Sequence, residues 1–236
     1  TTSVAMMKVM EERGIHADVA AGLSLGEYCA LVAAGVMTAD DAIRTVRERG
    51  ILMQEAVPAG VGGMSAVLGM TADEINAVVD EIPNVQVANY NCPGQIVISG
   101  LKEAVEIAAV KLKEAGARRV IPLKVSGPFH SYLLEEAGEK LGKFLENIPV
   151  SEPKIPYVAN VTAAYVTKAE DVKPLLTRQV SSSVRWQQSV ETMLADGVDR
   201  FIEIGPGKTL AGFIRKINRE ATVINIEKFE DLEKLN

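Results

Sequence analysis

The sequence has few cysteines, few histidines and no long apolar run, and each shortage excludes a class of protein. Only Cys29 and Cys92 occur in 236 residues, so a disulfide framework is excluded and a reducing, cytoplasmic location is expected. No apolar run approaches the ~20 residues that a membrane-spanning helix requires. We therefore expect a cytoplasmic protein that does not associate with a membrane.

Basic residues are in the minority, with 25 Lys and Arg against 31 Asp and Glu and a net charge of −6. Phosphate contacts require a basic surface, so this balance argues against nucleic acid as the main partner. The two cysteines lie far apart, and neither histidine has the spacing of a metal-binding motif. The composition, 47% hydrophobic and 24% charged, is that of an ordinary globular protein. We expect no metal site.

Periodicity and turn signals predict an α/β protein in which strands and helices alternate. Before a Pro- and Gly-rich linker at 58–63, the pattern predicts helices at 1–12, 27–34 and 39–55 and a buried strand at 17–21. After residue 124 it predicts helices at 131–147, 168–180, 187–196 and 208–219 and strands at 155–161, 200–204 and 222–226.

Residues 61–124 have a different character from the rest of the chain. Their predicted order is β-α-β-β-α-β, the ferredoxin-like order, with strands at 64–68, 85–89, 96–99 and 119–123 and helices at 71–81 and 102–115. We interpret 61–124 as a small inserted domain. The larger α/β domain then comprises 1–60 and 125–236.

The segment Gly22-Leu-Ser-Leu-Gly26 matches G-x-S-x-G between a predicted strand and a predicted helix. A nucleophilic serine is held in this setting, because the tight turn exposes its hydroxyl and the helix directs backbone N–H groups at an oxyanion. The pattern also fits a glycine-rich turn whose serine does nothing. We take Ser24 as the candidate nucleophile.

A serine nucleophile requires a base, and the chain offers only His16 and His130. His16 precedes the same strand, and an extended strand would carry it ~20 Å or more from Ser24. His130 follows a predicted strand and begins a helix, where catalytic groups of α/β proteins gather. We therefore predict His130 as the base, against the alternative of a surface residue at a helix start.

Arg49 falls on the apolar stripe of the helix at 39–55, together with Ala42, Val46 and Met53. A buried guanidinium requires an anionic partner. That partner is either a structural carboxylate of the protein or the carboxylate of a substrate, bound by two parallel hydrogen bonds.

Several motifs together resemble one known family, the malonyl-CoA:acyl-carrier-protein transacylases of bacterial fatty-acid synthesis. The matching segments are Gly22–Tyr28, Arg49–Gly50, Met53–Pro58, Asn91–Gly100, Pro128–His130, Val184–Trp186 and Glu203–Lys208. The resemblance implies an α/β-hydrolase-like large domain with an inserted ferredoxin-like small domain. It also implies a strand–helix segment with a Gly-Gln-Gly loop before Thr1, so we expect the true start of the protein to lie upstream.

The resemblance assigns a role to several residues around the candidate nucleophile. Ser24 resembles the acylated serine and His130 its base, and Leu25 would supply an oxyanion N–H. The backbone carbonyl of Gln179 would orient the histidine, and Asn160, a nearby residue, would help to orient it.

The resemblance further implies that Arg49 binds the malonyl carboxylate and that Phe129 selects malonyl over bulkier groups. Malonyl-CoA would be a substrate, acyl carrier protein the acceptor, and no cofactor is expected. A serine esterase or thioesterase, a non-catalytic fragment that binds a carrier protein, and a discrete acyltransferase of a polyketide synthase stay open as alternatives.

Overall fold

The computed structural model of the chain describes residues 1–235 and has a mixed α/β fold. The α-helices of this part are α1 (Thr2–Glu12), α2 (Gly26–Ala33), α3 (Ala39–Glu55), α4 (Ala72–Val79), α5 (Lys102–Glu114), α6 (Glu135–Glu146), α7 (Ala169–Gln179), α8 (Trp186–Ala195) and α9 (Thr209–Ile217). The strands are β1 (Ala20–Ala21), β2 (Gly62–Leu68), β3 (Val85–Cys92), β4 (Gln95–Leu101), β5 (Arg119–Pro122), β6 (Tyr157–Val158), β7 (Tyr165–Val166), β8 (Arg200–Ile204) and β9 (Thr222–Ile226).

The strands of the described residues form three sheets. The first has the order β1-β6-β7, with β1 parallel to β6. The second is antiparallel and has the order β3-β4-β2-β5, and the third is the parallel pair β8-β9. Every pairing joins strands that are not consecutive in the chain except β3-β4, β6-β7 and β8-β9.

The predicted strands at 17–21 and 155–161 were too long. Only Ala20–Ala21 and Tyr157–Val158 pair, and residues 17 and 18 are exposed. The strand β7 was missed because it also has only two residues. The start of the predicted helix at 131–147 is a 3-10 turn, Tyr132–Leu134, and a second 3-10 segment, Phe229–Leu235, was not predicted.

The helix α3, which carries Arg49, begins where the sequence predicts. Thr38 lies just before its first turn, in extended conformation, and its hydroxyl accepts a hydrogen bond from the Asp41 N–H at 3.1 Å. This cap satisfies one of the free amides at the helix start. Asp40 and Asp41 in the first turn also favour the positive end of the helix dipole.

The largest apolar core packs α2, α3, α6 and α7 against the first sheet. Its fully buried side chains include Tyr28, Leu31, Leu134, Leu141 and Tyr157. Burial of each such side chain contributes about 1.5–3 kcal/mol. This core fixes α2 and α3 beside each other, and with them the segments that carry Ser24 and Arg49.

The two faces of the four-stranded sheet pack against different parts of the protein. On β2, Val67 points into the core beneath α4 and α5, whereas Met64 and Ala66 point to the opposite face. This alternation follows from the two-residue period of a strand. The second face packs against Leu123 and Phe129, so the sheet lies directly behind the segment that carries His130.

Candidate active site

Ser24 lies at a sharp corner between β1 and α2. Its φ of 51° is in the left-handed region, which a non-glycine residue adopts only under strain. The corner is tight at Gly22, because a Cβ there would lie 2.1 Å from the carbonyl carbon and oxygen of Gly26. Gly26 itself has open space at its own Cβ position. The first glycine of the motif is therefore required by packing and the second is not.

Asn160 braces this corner from the loop between β6 and β7. Its Oδ1 accepts a hydrogen bond from the Ser24 N–H at 2.6 Å, and its Nδ2 donates to the Gly22 carbonyl at 2.7 Å. The side chain is buried. One amide thus holds both sides of the turn in the strained conformation. The Asn160 side chain bonds this turn rather than His130, which it was expected to orient.

Ser24 and His130 are brought together across 106 positions of sequence, with 2.7 Å between Ser24 Oγ and His130 Nε2. His130 Nδ1 lies 2.9 Å from the carbonyl oxygen of Gln179. A carbonyl only accepts hydrogen bonds, so Nδ1 carries the proton and Nε2 is free to accept one from Ser24. His16 is exposed and makes no contact with this pair.

His130 is 3% exposed, and its burial, assisted by the charge of Arg49, lowers the pKa of the imidazole to about 4 from 6.5. Burial disfavours the charged form of a base. The imidazole is therefore neutral at pH 7, which is the state that can take up a proton.

Arg49 reaches the same point from α3. Its Nη2 donates to Ser24 Oγ at 3.0 Å and to Gln179 Oε1 at 3.2 Å. The guanidinium is buried and lies 5.8 Å from the centroid of the Tyr28 ring. Its Nε is buried without a hydrogen-bond partner in the described residues. The site therefore holds a positive charge with donor capacity beyond what these protein acceptors use.

A cavity of about 420 Å³ opens over these three side chains. Ser24, His130 and Arg49 belong to its lining. Met64, Val97, Leu123 and Phe129, from the region of the four-stranded sheet, add apolar side chains to it. The cavity thus offers one positive group in a largely apolar surrounding.

The Leu25 side chain is 54% exposed, but its backbone is the part that concerns the site. Leu25 precedes the first turn of α2, and its N–H has no acceptor in residues 1–235. Free amides at a helix start attract negative charge.

Glu27 is the site residue that the sequence interpretation missed. It is 1% exposed, and its Oε2 accepts hydrogen bonds from Gln179 Nε2 at 2.7 Å and from the Asn160 N–H at 3.1 Å. Burial raises the pKa of its carboxyl to about 7, although both donors and the charge of Arg49 oppose the shift. The sequence does contain one signal for it. Glu27 lies three residues before Ala30 and four before Leu31, which places it on the buried face of α2.

The segment 205–209 resembles the end of a phosphate-binding loop. Carboxylates of the protein already accept hydrogen bonds from backbone N–H groups in and just after this segment. The Glu203 carboxylate accepts hydrogen bonds from the Leu210 and Ala211 N–H groups at 3.0 and 2.9 Å. Glu227 accepts another from Gly207. This start of α9 is a strand–helix turn stabilised by its own carboxylates.

Residues 1–235 contain neither a metal-binding cluster nor a helix that could cross a membrane. No cluster of three or more His, Cys, Asp or Glu side chains there could hold a metal ion. Among those same residues, no helix has the length and hydropathy for a membrane crossing.

Comparison with known proteins identifies similar chains over the full length. The acyl transferase domain family matches residues 1–229. A malonyl CoA-acyl carrier protein transacylase of Bacillus subtilis (strain 168) is 48% identical over 237 residues, covering 99% of this chain and 75% of the relative.

Two solved structures have nearly the same fold. An acyl carrier protein S-malonyltransferase from Vibrio cholerae has a TM-score of 0.97 at 42% identity, covering 100% of this chain and 78% of that one. A malonyl-transacylase in complex with its type II PKS acyl-carrier protein has a TM-score of 0.96 at 41% identity, covering 99% of this chain and 77% of that one.

Proposed function

The chain belongs to the acyl transferase domain family, and we propose that Ser24, His130 and Arg49 are the residues with which it transfers a malonyl group from coenzyme A to acyl carrier protein. Malonyl transfer is the activity named for its relatives, which makes the chain an acyltransferase. One observation carries the residue assignment: Ser24 Oγ lies 2.7 Å from a neutral imidazole and 3.0 Å from a buried guanidinium.

In the first half-reaction, Ser24 Oγ attacks the thioester carbon of malonyl-CoA and His130 Nε2 takes the hydroxyl proton. The oxyanion that forms is stabilised by the Leu25 N–H at the start of α2. The C–S bond then breaks, His130 returns its proton to the sulfur of coenzyme A, and malonyl-Ser24 remains.

In the second half-reaction, the phosphopantetheine thiol of acyl carrier protein attacks malonyl-Ser24. His130 takes the thiol proton and gives it to Ser24 Oγ as the ester C–O bond breaks. A serine–histidine pair can work without an aspartate if another acceptor fixes the histidine. The Gln179 carbonyl, 2.9 Å from Nδ1, supports that role here. The scheme uses only side-chain and backbone groups of the chain and the two thiols, so we propose that no cofactor takes part.

Arg49 would provide selection for the malonyl group. A malonyl carboxylate pairs with the guanidinium inside a largely apolar cavity, whereas an acetyl group leaves the charge without a ligand. Phe129 lines the same cavity and would limit the size of the acyl group that enters.

The domain arrangement and location also belong to this proposal. Residues 61–124 would form a ferredoxin-like small domain inserted in an α/β-hydrolase-like domain of 1–60 and 125–236. The sheet order β3-β4-β2-β5, with α4 and α5 packed on one face, supports the inserted domain. Two cysteines, both free, support a cytoplasmic location.

Incubation with malonyl-CoA, with and without phosphopantetheinylated acyl carrier protein, distinguishes this function from that of an esterase or thioesterase. A transferase yields malonyl-acyl carrier protein and requires the acceptor thiol for turnover. A hydrolase releases free malonate without it. Ser24→Ala is the matched control and should do neither.

A discrete acyltransferase of a polyketide synthase is the second candidate, because one structural neighbour is bound to a polyketide carrier protein. Transfer rates to a fatty-acid and to a polyketide carrier protein, measured side by side, separate the two assignments.

A further inference from the structure

Glu27 has a buried carboxyl group and no role in the proposed transfer mechanism. It lies in the first turn of α2, three residues after the nucleophile, and is 1% exposed. Among residues 1–235, Arg49 is the only charged neighbour of opposite sign that affects its pKa, and the two groups make no direct ion pair there. Burial of a carboxylate is costly unless the group is paired or hydrogen-bonded, and the hydrogen bonds of Glu27 go to residues that surround Ser24.

The Gln179 side chain connects the two charged groups. Its Nε2 donates to Glu27 Oε2 at 2.7 Å and to the Ser24 carbonyl at 3.1 Å. Its Oε1 accepts from Arg49 Nη2 at 3.2 Å. The same Nη2 donates to Ser24 Oγ at 3.0 Å.

These partners allow one orientation of the Gln179 amide. A carboxylate and a carbonyl accept hydrogen bonds, whereas a guanidinium only donates. If the amide turned by half a rotation, its NH₂ would face Arg49 and its oxygen would face Glu27, and each pair would repel. Glu27 therefore reinforces, together with the Ser24 carbonyl, the orientation that presents Gln179 Oε1 to Arg49.

We propose that Glu27 is a positioning residue for malonyl selection, because it orients the Gln179 amide that holds the Arg49 guanidinium beside Ser24. The inference rests on the proposed malonyl transfer. Glu27 touches neither the substrate nor the reacting atoms in this account. Burial raises the pKa of the Glu27 carboxyl, because the buried position disfavours its charged form. This agrees with a residue that is retained for its hydrogen bonds.

Glu27→Leu tests the proposal, because leucine is close to glutamate in size but accepts no hydrogen bond. We expect the ratio of malonyl to acetyl transfer to fall about tenfold or more, which is the size of effect when a hydrogen bond to a charged group is lost. Most of the fall should come from a higher KM for malonyl-CoA. Glu27→Gln should restore most of the ratio, because its amide oxygen can accept from the same two N–H groups.

Gln179→Met tests the same connection from the other end. It removes the side-chain amide that contacts Arg49 and Glu27, so the ratio of malonyl to acetyl transfer should fall as it does in Glu27→Leu. In the double variant with Glu27→Leu, the losses should not add, because both substitutions break one chain of contacts. If Glu27→Leu does not fold, the single variant Gln179→Met still tests the proposal.

Glu203→Leu is the matched control. Glu203 also holds backbone amides at a helix start, so its loss should lower stability, but it should leave the malonyl-to-acetyl ratio unchanged. If Glu27→Leu or Gln179→Met keeps the wild-type ratio, or if Glu27→Gln is as impaired as Glu27→Leu, the inference is wrong. Failure of the wild-type protein to transfer malonyl would instead contradict the proposed function.

Discussion

At the scale of single residues, the composition of the chain limits the chemistry to a few groups. With two histidines in the sequence, only one could serve a serine at residue 24, and the structure brings that one, His130, within 2.7 Å of Ser24 Oγ. Arg49 could be found because it interrupts an apolar stripe. Its neighbour Glu27 could not be assigned a partner, because the Gln179 side chain that binds it comes from 152 positions away.

Arg49→Ala should lower malonyl transfer far more than acetyl transfer. The substitution removes the positive group of the cavity, and loss of a charge-assisted pair of hydrogen bonds corresponds to a change of roughly 10²-fold in the ratio of the two. Competition between malonyl-CoA and acetyl-CoA measures this ratio. An unchanged ratio would mean that Arg49 has another function.

The imidazole of His130 should stay neutral at pH values well below 6.5, the usual pKa of a histidine. Burial and the charge of Arg49 lower its pKa to about 4. A proton NMR titration of the ring resonances can measure this, with His130→Asn to assign them against those of His16. We expect no change in the His130 resonances between pH 8 and about pH 5.5. Half-protonation near pH 6.5 would contradict the burial that the structure gives this residue.

His130 and Glu27 should make opposite contributions to the pH dependence of stability. His130, with its pKa lowered from 6.5 to about 4, makes the unfolded chain bind more protons in that interval, so its contribution to stability falls as the pH falls. Glu27, with its pKa raised from 4.5 to about 7, makes the folded chain bind more protons, so its contribution falls as the pH rises.

In a variant that lacks His130, the contribution of Glu27 to the pH dependence of stability should therefore be visible on its own. From pH 4.5 to 7, the free energy of unfolding of His130→Asn should fall relative to that of His130→Asn/Glu27→Gln, by about 1 kcal/mol or more. Urea denaturation at a series of pH values measures both curves. Parallel curves would show that Glu27 is ionised equally in the folded and unfolded chain.

At the scale of elements, long periodic segments could be predicted and two-residue strands could not. The helices near 39–55 and 102–115 agree with α3 and α5 to within a residue. The strands β1 and β6 are set by pairing with each other across the fold rather than by their own apolar pattern, which is why both were predicted too long.

The corner between β1 and α2 should tolerate a methyl group at one of its glycines and not at the other. Gly22→Ala should destabilise the protein by about 2 kcal/mol or more, because its Cβ would overlap the Gly26 carbonyl. Gly26→Ala is the matched control, since open space surrounds that position. Thermal unfolding measures both, and equal melting temperatures for the two variants would show that the corner is not as tight as the structure has it.

At the scale of the whole molecule, the site is assembled from segments that the sequence alone does not place together. Ser24 follows β1, Arg49 comes from α3, Gln179 ends α7 and His130 precedes α6. The G-x-S-x-G motif and the family resemblance predicted which residues to expect. The contacts of Glu27 and Asn160 depend on how β6 packs beside β1, and no local pattern encodes that packing.

The proposed transfer depends on a covalent malonyl ester at Ser24, which intact-protein mass spectrometry can detect after brief exposure to malonyl-CoA. We expect a gain of one malonyl group, located on the peptide that contains Ser24, and no gain in Ser24→Ala. An unmodified wild-type protein under conditions in which malonyl transfer proceeds, or an equal gain in Ser24→Ala, would contradict it.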